Sequence, residues 1–206
     1  MVKINGEEKK RFHRERPPEK IIFEYPKNKI KDFIENKGFY IEFKFFKERE
    51  KERVESHLQN KLDFYINERA MEKILKHCNE MALTGKEAMG FLIGDVKYWD
   101  GEYSVVYDIA TASLLSSSIY VRFRKEAFEE IFNKLDEIEY EYVLIGWYHS
   151  HLGYSSFMSK IDMETQIKYF NKPFHASLVI DPIKKEVKVF RLYMGKCVEI
   201  PYAIFR

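Results

Sequence analysis

From residue 63 onward the spacing of apolar residues switches repeatedly between two and about 3.6, which restricts the chain to folds that mix strands with helices. The pattern predicts strands at 63–67, 89–94, 103–112, 142–149, 175–180, 186–194 and 197–204, and helices at 68–81, 124–138 and 159–170. The chain contains no internal repeat. We therefore predict an α/β sandwich of about 145 residues, built on a mixed sheet with helices packed against it.

The first 60 residues differ in charge from the rest, with 16 Lys and Arg against 12 Asp and Glu. A charged stretch up to Arg16 is typical of an arm that becomes ordered only against another surface. Strands at 20–25 and 39–46 around a helix at 28–36 then predict a small β-α-β unit. The charge run 48–59 follows. We place the boundary there, with an accessory unit over 1–60 and the main domain over 61–206.

The composition excludes several classes of protein. With 45% hydrophobic residues, 9 Gly and 6 Pro in 206 residues, the chain is too apolar for a disordered protein. A net charge of +2 does not supply the basic surface of a nucleic-acid binder. No apolar run approaches the roughly 20 residues that cross a bilayer, and the N-terminus lacks the apolar core of a secretory signal. We therefore expect a cytoplasmic protein that binds neither nucleic acid nor membranes.

The almost wholly apolar strand that ends at Tyr148 is followed by His149-Ser150-His151. Residues i and i+2 of a strand project to one face, so His149 and His151 can point at one atom, as metal ligands do. Asp162 follows eleven residues after His151, and Ser159 lies one helical turn before it. Two nitrogens and a carboxylate oxygen, with a fourth position left for water, would form a catalytic rather than a structural zinc site.

Each of these features also has a plain structural interpretation. A His-x-His at a strand end is more often surface chemistry than a metal site, and Ser159-x-x-Asp162 is also a typical helix start, with Ser as the N-cap. Glu87, shortly before the predicted strand 89–94, would by itself be one exposed acid among 33 acidic residues. The spacing of these residues does not decide between the two interpretations.

This part of the chain resembles the JAMM (MPN+, JAB1/MPN/Mov34) metalloprotease family. That family's His-x-His-x7-Ser-x2-Asp signature corresponds here to His149-Ser150-His151, then Ser159 after seven residues and Asp162 after two more. The segment 87–94 is similar to that family's upstream glutamate with its glycine-bounded strand. The resemblance covers roughly residues 62–205 and leaves 1–60 outside. One departure is Leu152, where the family often has proline, and it could loosen the loop 152–158.

The resemblance implies an MPN/JAB fold similar to that of cytidine deaminases, with a mixed, mostly antiparallel curved sheet sandwiched by helices. It also implies a zinc-dependent isopeptidase or peptidase that cleaves ubiquitin-like modifiers after their C-terminal Gly-Gly tail. His149, His151 and Asp162 would bind Zn²⁺. Glu87 would act as general base and acid, and Ser159 would help to stabilise the oxyanion.

The implied partners are a ubiquitin-like protein substrate or its conjugates. Residues 1–60 could contact a second copy of the chain or a regulatory partner, and the loops 112–119 and 152–158 could form the walls of a groove for the modifier tail. Two other functions fit the same residues. One is a sulfur-carrier C-terminal peptidase with the same metal centre, and the other is a non-catalytic MPN-type scaffold.

The remaining histidines, the aromatic residues beside the motif and the cysteines are expected to have structural roles. His13, His57 and His77 are expected at the surface, and His175 is expected to pack or hydrogen-bond on its strand. Trp147 and Tyr148 are expected in the core. Cys78 and Cys197 are expected to be buried thiols, since two cysteines do not make a disulfide framework.

Overall fold

A computed structural model of the chain describes residues 15–27, Ile30, Ile34, 62–111 and 143–206. The predicted strand 39–46, charge run 48–59, loop 112–119 and helix 124–138 lie outside these residues, as do His13 and His57. The strands are β1 Ile21–Tyr25, β2 Phe64–Asn67, β3 Met89–Tyr98, β4 Glu102–Ala110, β5 Val143–Ser150, β6 Ala176–Asp181, β7 Glu186–Tyr193, β8 Lys196–Ile200 and β9 Tyr202–Phe205. The helices that lie wholly within these residues are α1 Glu68–Leu83 and α2 Lys160–Tyr169, and of the predicted helix 28–36 only Ile30 and Ile34 are described.

The described strands form one sheet in the order β1-β9-β2-β4-β3-β5-β6-β7-β8. Strand β2 is parallel to β4 and β9, and β5 is parallel to β6, whereas the other neighbours are antiparallel. The sheet is curled, since the hydroxyl of Tyr25 on one edge strand donates a hydrogen bond to the carboxylate of Glu199 on the other. A buried ion pair of 2.8 Å between Arg191 and Asp63 also joins β7 to the start of β2. The prediction of a mixed, mostly antiparallel curved sheet is confirmed.

The predicted strand 197–204 is wrong in one respect, because the structure divides it into β8 and β9 at Pro201. Proline has no N–H for a ladder bond, so a strand usually cannot continue through it inside a sheet. Strand β8 pairs with β7, and β9 crosses to pair with β1 and β2. The apolar period is the same on both sides of the proline, and it gives no sign of this change of partner.

Helix α1 covers one face of the sheet. The side chain of Asn67 caps it by accepting a hydrogen bond from the backbone N–H of Arg69 at 3.0 Å. Its buried residues are Ala70, Met71, Ile74, Leu75, Cys78 and Ala82. Ala70, Ile74 and Cys78 recur every four residues within the predicted helix 68–81. Since the buried positions follow the helical period, the helix packs one apolar stripe on the sheet.

The N-terminal strand belongs to the same sheet, because β1 pairs with β9. Phe23, Ile30 and Ile34 are buried in the core that α1 covers. The division of the chain at residue 60 stays a prediction.

Both cysteines are free thiols. Cys78 is buried as expected, whereas Cys197 is only half-buried because it lies on the edge strand β8.

A β-bulge in β5 decides which side chains face the second helix. Leu92 pairs with Gly146 and Ile93 pairs with Leu144, so Ile145 is the extra residue of the bulge. A Cβ atom at Gly146 would lie 1.9 Å from the carbonyl oxygen of Ala176, so only glycine fits there. The bulge shifts the alternation by one residue.

After this shift, Ile145 and Tyr148 both face the core under α1, and Trp147 faces the opposite side. On that side a second apolar cluster is formed by Met89, Phe91, Ile93, Trp147 and Phe170.

None of the helices in the described ranges is both long and apolar enough to cross a bilayer.

Candidate metal centre

His149 and His151 lie at the end of β5, which is hydrogen-bonded on both sides, to β3 and to β6. The ladder continues through His151, whose N–H donates to the carbonyl of Ile180 at 2.8 Å. Between the histidines, the hydroxyl of Ser150 turns the other way and accepts from the backbone N–H of Ala88 at 2.7 Å. The two imidazoles therefore share one face, as the i, i+2 spacing predicts.

Asp162 reaches the imidazoles from the first turn of α2. Its Oδ2 lies 3.4 Å from Nε2 of His149 and 3.6 Å from Nε2 of His151. The same oxygen accepts from the backbone N–H of Ser159 at 2.7 Å, and the hydroxyl of Ser159 accepts from the N–H of Asp162 at 3.3 Å. This reciprocal capping box fixes the carboxylate against the imidazoles. The Ser159–Asp162 pair therefore caps α2 and also places the Asp162 carboxylate beside the two histidines.

The residues present fit a metal ion. One ligand atom from each of His149, His151 and Asp162 can be chosen so that all lie within 4.8 Å of one another. In the described part of the chain, Nδ1 of the buried His149 has no hydrogen-bond partner, and Nε2 faces Oδ2 of Asp162 at 3.4 Å without a well-formed hydrogen bond. Burying such nitrogens unpaired costs free energy, and a metal ion would remove that cost. Two imidazole nitrogens and one carboxylate oxygen form a donor set typical of catalytic zinc.

The charges of these side chains suit the same interpretation. Burial alone would raise the pKa of Asp162, but the adjacent imidazoles of His149 and His151 and the bond from Ser159 hold it well below its ordinary value. Burial lowers the pKa of His149, whereas the contacts of His151 with Asp162 and Ser155 outweigh burial and raise its pKa, so a metal ion would displace a proton from His151. An ionised carboxylate and a neutral imidazole are the forms that bind metal ions.

A chain of contacts orients His149. Its ring stacks on that of Trp147, with centroids 4.4 Å apart and an interplanar angle of 17°. The indole N–H of Trp147 donates to Oε1 of Gln166 at 2.7 Å, and Nε2 of Gln166 donates to the carbonyl of Phe170 at 2.8 Å. Sequence analysis missed Gln166, because a glutamine inside a helix carries no signal that it is buried beneath a strand 19 residues earlier.

The orientation of His151 is set by a contact of Nδ1, the ring nitrogen that does not face Asp162. Nδ1 lies 2.9 Å from the carbonyl oxygen of Ser155. A carbonyl can only accept, so Nδ1 carries the proton and the lone pair of the neutral ring is on Nε2. Nε2 is the atom that faces Asp162.

Glu87 lies on the same face as the histidines. Met89 pairs with His149 in the antiparallel ladder, so the continued register brings Glu87 opposite His151. Burial raises the pKa of Glu87. The negative charges of Asp162 and Asp181 raise it further, and the positive charge of His151 opposes them. The structure therefore brings the five residues that the sequence motif contains to one place.

Within the described ranges, the remaining predictions for aromatic and histidine residues are confirmed with one exception, whereas those for His13 and His57 stay predictions. Trp147 and Tyr148 are fully buried, and His175 is buried with its Nδ1 accepting from the N–H of Lys172 at 3.2 Å. His77, predicted at the surface, is half-buried instead. Its Nδ1 lies 2.8 Å from the hydroxyl of Tyr148, because α1 packs across β5 at this position.

The model of the family described as JAB1/Mov34/MPN/PAD-1 ubiquitin protease matches residues 59–172, which is more than half of the chain. Among curated relatives, ubiquitin carboxyl-terminal hydrolase RPN11 of Saccharomyces cerevisiae is 29% identical over 136 residues, covering 62% of this chain and 43% of that protein. COP9 signalosome complex subunit 5 of Candida albicans is 32% identical over 145 residues, covering 63% of this chain and 22% of that protein.

The chain thus spans less than half of the length of these relatives. Among solved structures, the solution structure of protein DSY2949 from Desulfitobacterium hafniense superposes with a TM-score of 0.52 at 20% identity, over 68% of this chain and 92% of that one. This likeness supports the fold alone. The extent of the family match, together with the motif at its expected positions, shows that the chain belongs to the JAB1/Mov34/MPN/PAD-1 ubiquitin protease family.

Proposed function

We propose that the chain is a zinc-dependent isopeptidase that cleaves ubiquitin-like modifiers after their C-terminal Gly-Gly tail. The observation that carries the proposal is the convergence of two buried imidazoles and the partly buried carboxylate of Asp162 beside the carboxyl group of Glu87, whose pKa is raised. A scaffold without catalysis would have no use for a buried His149 whose Nδ1 lacks a hydrogen-bond partner and whose Nε2 converges with Nε2 of His151 on Asp162. The name of the Saccharomyces cerevisiae relative, a ubiquitin carboxyl-terminal hydrolase, also supports the proposal.

His149, His151 and Asp162 would hold the zinc ion. A zinc ion held by three protein ligands lowers the pKa of a bound water towards about 7 and polarises a carbonyl group. The two imidazoles are held by the ring of Trp147 and the carbonyl of Ser155, and the carboxylate is held by its helix cap. Little side-chain freedom is therefore left to be lost when the ion binds.

Glu87 would act as the general base and then as the general acid. It would accept a proton from the attacking water and deliver it to the amine of the leaving lysine. A carboxyl group whose pKa is raised by burial holds a proton better than an exposed one. This property suits a group that must both take up and release a proton in one catalytic cycle.

Ser159 would stabilise the oxyanion. Its hydroxyl accepts the bond from the N–H of Asp162 with a lone pair, so its own hydrogen can still be donated. Since Ser159 caps α2 within one turn of Asp162, the hydroxyl is carried by the same rigid helix start as the proposed ligand. A single well-placed donor of this kind contributes about 3 kcal/mol to transition-state stabilisation.

The proposed substrate is a ubiquitin-like protein or its conjugate, and the loop 152–158 is proposed as one wall of the tail groove. Tyr154 in this loop is 74% exposed and is available to contact a substrate. We further propose that residues 1–60 form an accessory unit that binds a regulatory partner or a second copy. Support comes from the name of the Candida albicans relative, a subunit of the COP9 signalosome complex.

The test is cleavage of model substrates by the purified full chain. Ubiquitin and small archaeal-type β-grasp modifiers, joined through their C-terminal Gly-Gly either to a lysine side chain or to a short peptide, are incubated with the protein. We expect release of the modifier, its loss after treatment with 1,10-phenanthroline, and its return when zinc is added. Cleavage that is insensitive to chelation, or no cleavage of any of these conjugates by the zinc-loaded chain, would contradict the proposal.

A further inference from the structure

The carboxylate of Asp181 is a buried anchor for two neighbouring loops. It lies at the end of β6, is fully buried, and accepts hydrogen bonds from four backbone N–H groups. Oδ1 accepts from Gly153 at 3.1 Å, Ile183 at 3.0 Å and Lys184 at 3.1 Å. Oδ2 accepts from Ser155 at 2.7 Å. The chemistry proposed above assigns no role to this residue.

The bond from Ser155 matters most, because the backbone there is in an unusual conformation. Ser155 has φ of +76°, in the left-handed region that residues other than glycine seldom adopt. Such a conformation persists only where the surrounding structure imposes it. The peptide unit before Ser155 is held by Asp181, which accepts the N–H of Ser155. The peptide unit after Ser155 is held by Glu186, whose Oε2 accepts the N–H of Ser156 at 3.1 Å. The loop is therefore tied down despite the absence of proline after His151.

The carbonyl of Ser155 belongs to that same peptide unit, and it lies 2.9 Å from Nδ1 of His151. Asp181 and Glu186 thus hold, from the two sides, the one carbonyl that fixes the ring of His151. Substitution of a group that orients a metal-binding histidine through its second ring nitrogen typically lowers metal affinity by about 10–100-fold.

We propose that Asp181 is a positioning residue that acts through the Ser155 carbonyl to hold His151 in the ring orientation and tautomer that bind the metal ion. This inference rests on the proposed zinc site. It also accounts for a carboxylate buried beyond the reach of solvent, whose four bonds otherwise serve only to close two loops.

The substitution Asp181→Asn separates the bond to Ser155 from the other three. The amide oxygen is expected to stay at the Oδ1 position, where it accepts three N–H groups, so the NH₂ group then faces the N–H of Ser155. Two donors facing each other repel, so Ser155 is expected to leave its left-handed conformation, which rotates the following peptide unit and its carbonyl. His151 then loses the acceptor of its Nδ1 proton.

The first measurement is two-dimensional ¹⁵N NMR of the histidine rings in the metal-free full chain, at a pH where His151 is neutral. We expect the Nδ1–H tautomer of His151 in the wild type and a mixture of tautomers in Asp181→Asn. The second is zinc affinity by competition with a chelating dye, for which we expect a loss of about tenfold in the variant. Turnover is not a suitable readout, since the charge of Asp181 also acts on Glu87.

Lys184→Met is the matched control. Nζ of Lys184 donates to the hydroxyl oxygen of Ser155 at 2.7 Å, so the variant removes a side-chain bond to the same residue and keeps the backbone N–H of residue 184 that donates to Asp181. It is expected to keep both the tautomer and the affinity of the wild type. If Asp181→Asn does the same, the inference is wrong while the zinc site stands. If the wild type itself binds no zinc, the proposed function fails.

A measurement on the wild type keeps the inference testable should Asp181→Asn not fold. The amide hydrogen of Ser155 is expected to exchange with solvent far more slowly than that of Tyr154 in the same loop, because Asp181 accepts it in a buried position. Equal, rapid exchange of the two amides, or an Nε2–H tautomer of His151 in the wild type, would overturn the inference.

Discussion

The variant Glu87→Gln is expected to keep its zinc and to lose about a thousandfold or more of turnover, because one carboxyl group is proposed to serve as both base and acid. Glutamine keeps the size and the hydrogen-bonding capacity of the side chain but cannot accept and release a proton at neutral pH. The measurement is kcat on a modifier–lysine conjugate, together with the zinc content of the same sample.

Glu102→Gln is the control for this variant, since Glu102 is an exposed glutamate at the start of β4. It is expected to retain wild-type turnover. A Glu87→Gln variant that cleaves at the wild-type rate would remove Glu87 from the mechanism. One that loses its zinc along with activity would instead make Glu87 part of the metal site.

The variant Asp162→Ala is expected to lose zinc and activity together. A zinc binding free energy of about 10–16 kcal/mol, shared among four ligands, amounts to about 3 kcal/mol per ligand, which corresponds to roughly a hundredfold in affinity. The fold should survive, because the hydroxyl of Ser159 can still accept from the N–H of residue 162 and cap α2. Zinc affinity by dye competition and the melting temperature of the metal-free chain measure the two effects separately.

Glu164→Ala is the matched control, an exposed acid two residues further along the same helix. Its zinc affinity and turnover are expected to equal those of the wild type. Equal zinc affinity in Asp162→Ala and Glu164→Ala would mean that the ion is bound elsewhere.

The parts of the fold that depend on local spacing could be predicted from the sequence. The stripe of α1 and the capping start of α2 follow from residues close together in the chain, and both occur as expected. The i, i+2 spacing of His149 and His151 likewise predicts their shared face. These features depend on the geometry of one helix or one strand, which a short segment already determines.

The features that sequence analysis missed arise from contacts between distant segments. The division at Pro201 depends on which neighbour each half of the predicted strand pairs with. The burial of Gln166 depends on its bond to Trp147, and the role inferred for Asp181 depends on the loop that it holds. Residue type and period carry little information about such partners. His77 was misplaced for the same reason, since the packing of α1 on Tyr148 is a tertiary contact.

Zinc-edge X-ray absorption of the zinc-loaded full chain measures whether one zinc ion is bound by His149, His151 and Asp162. We expect four nitrogen or oxygen neighbours at about 2.0–2.2 Å and the scattering pattern of two imidazoles. The Asp162→Ala variant should not give this spectrum. A sulfur neighbour at about 2.3 Å, which would implicate Cys78 or Cys197, or a single imidazole, would contradict the account.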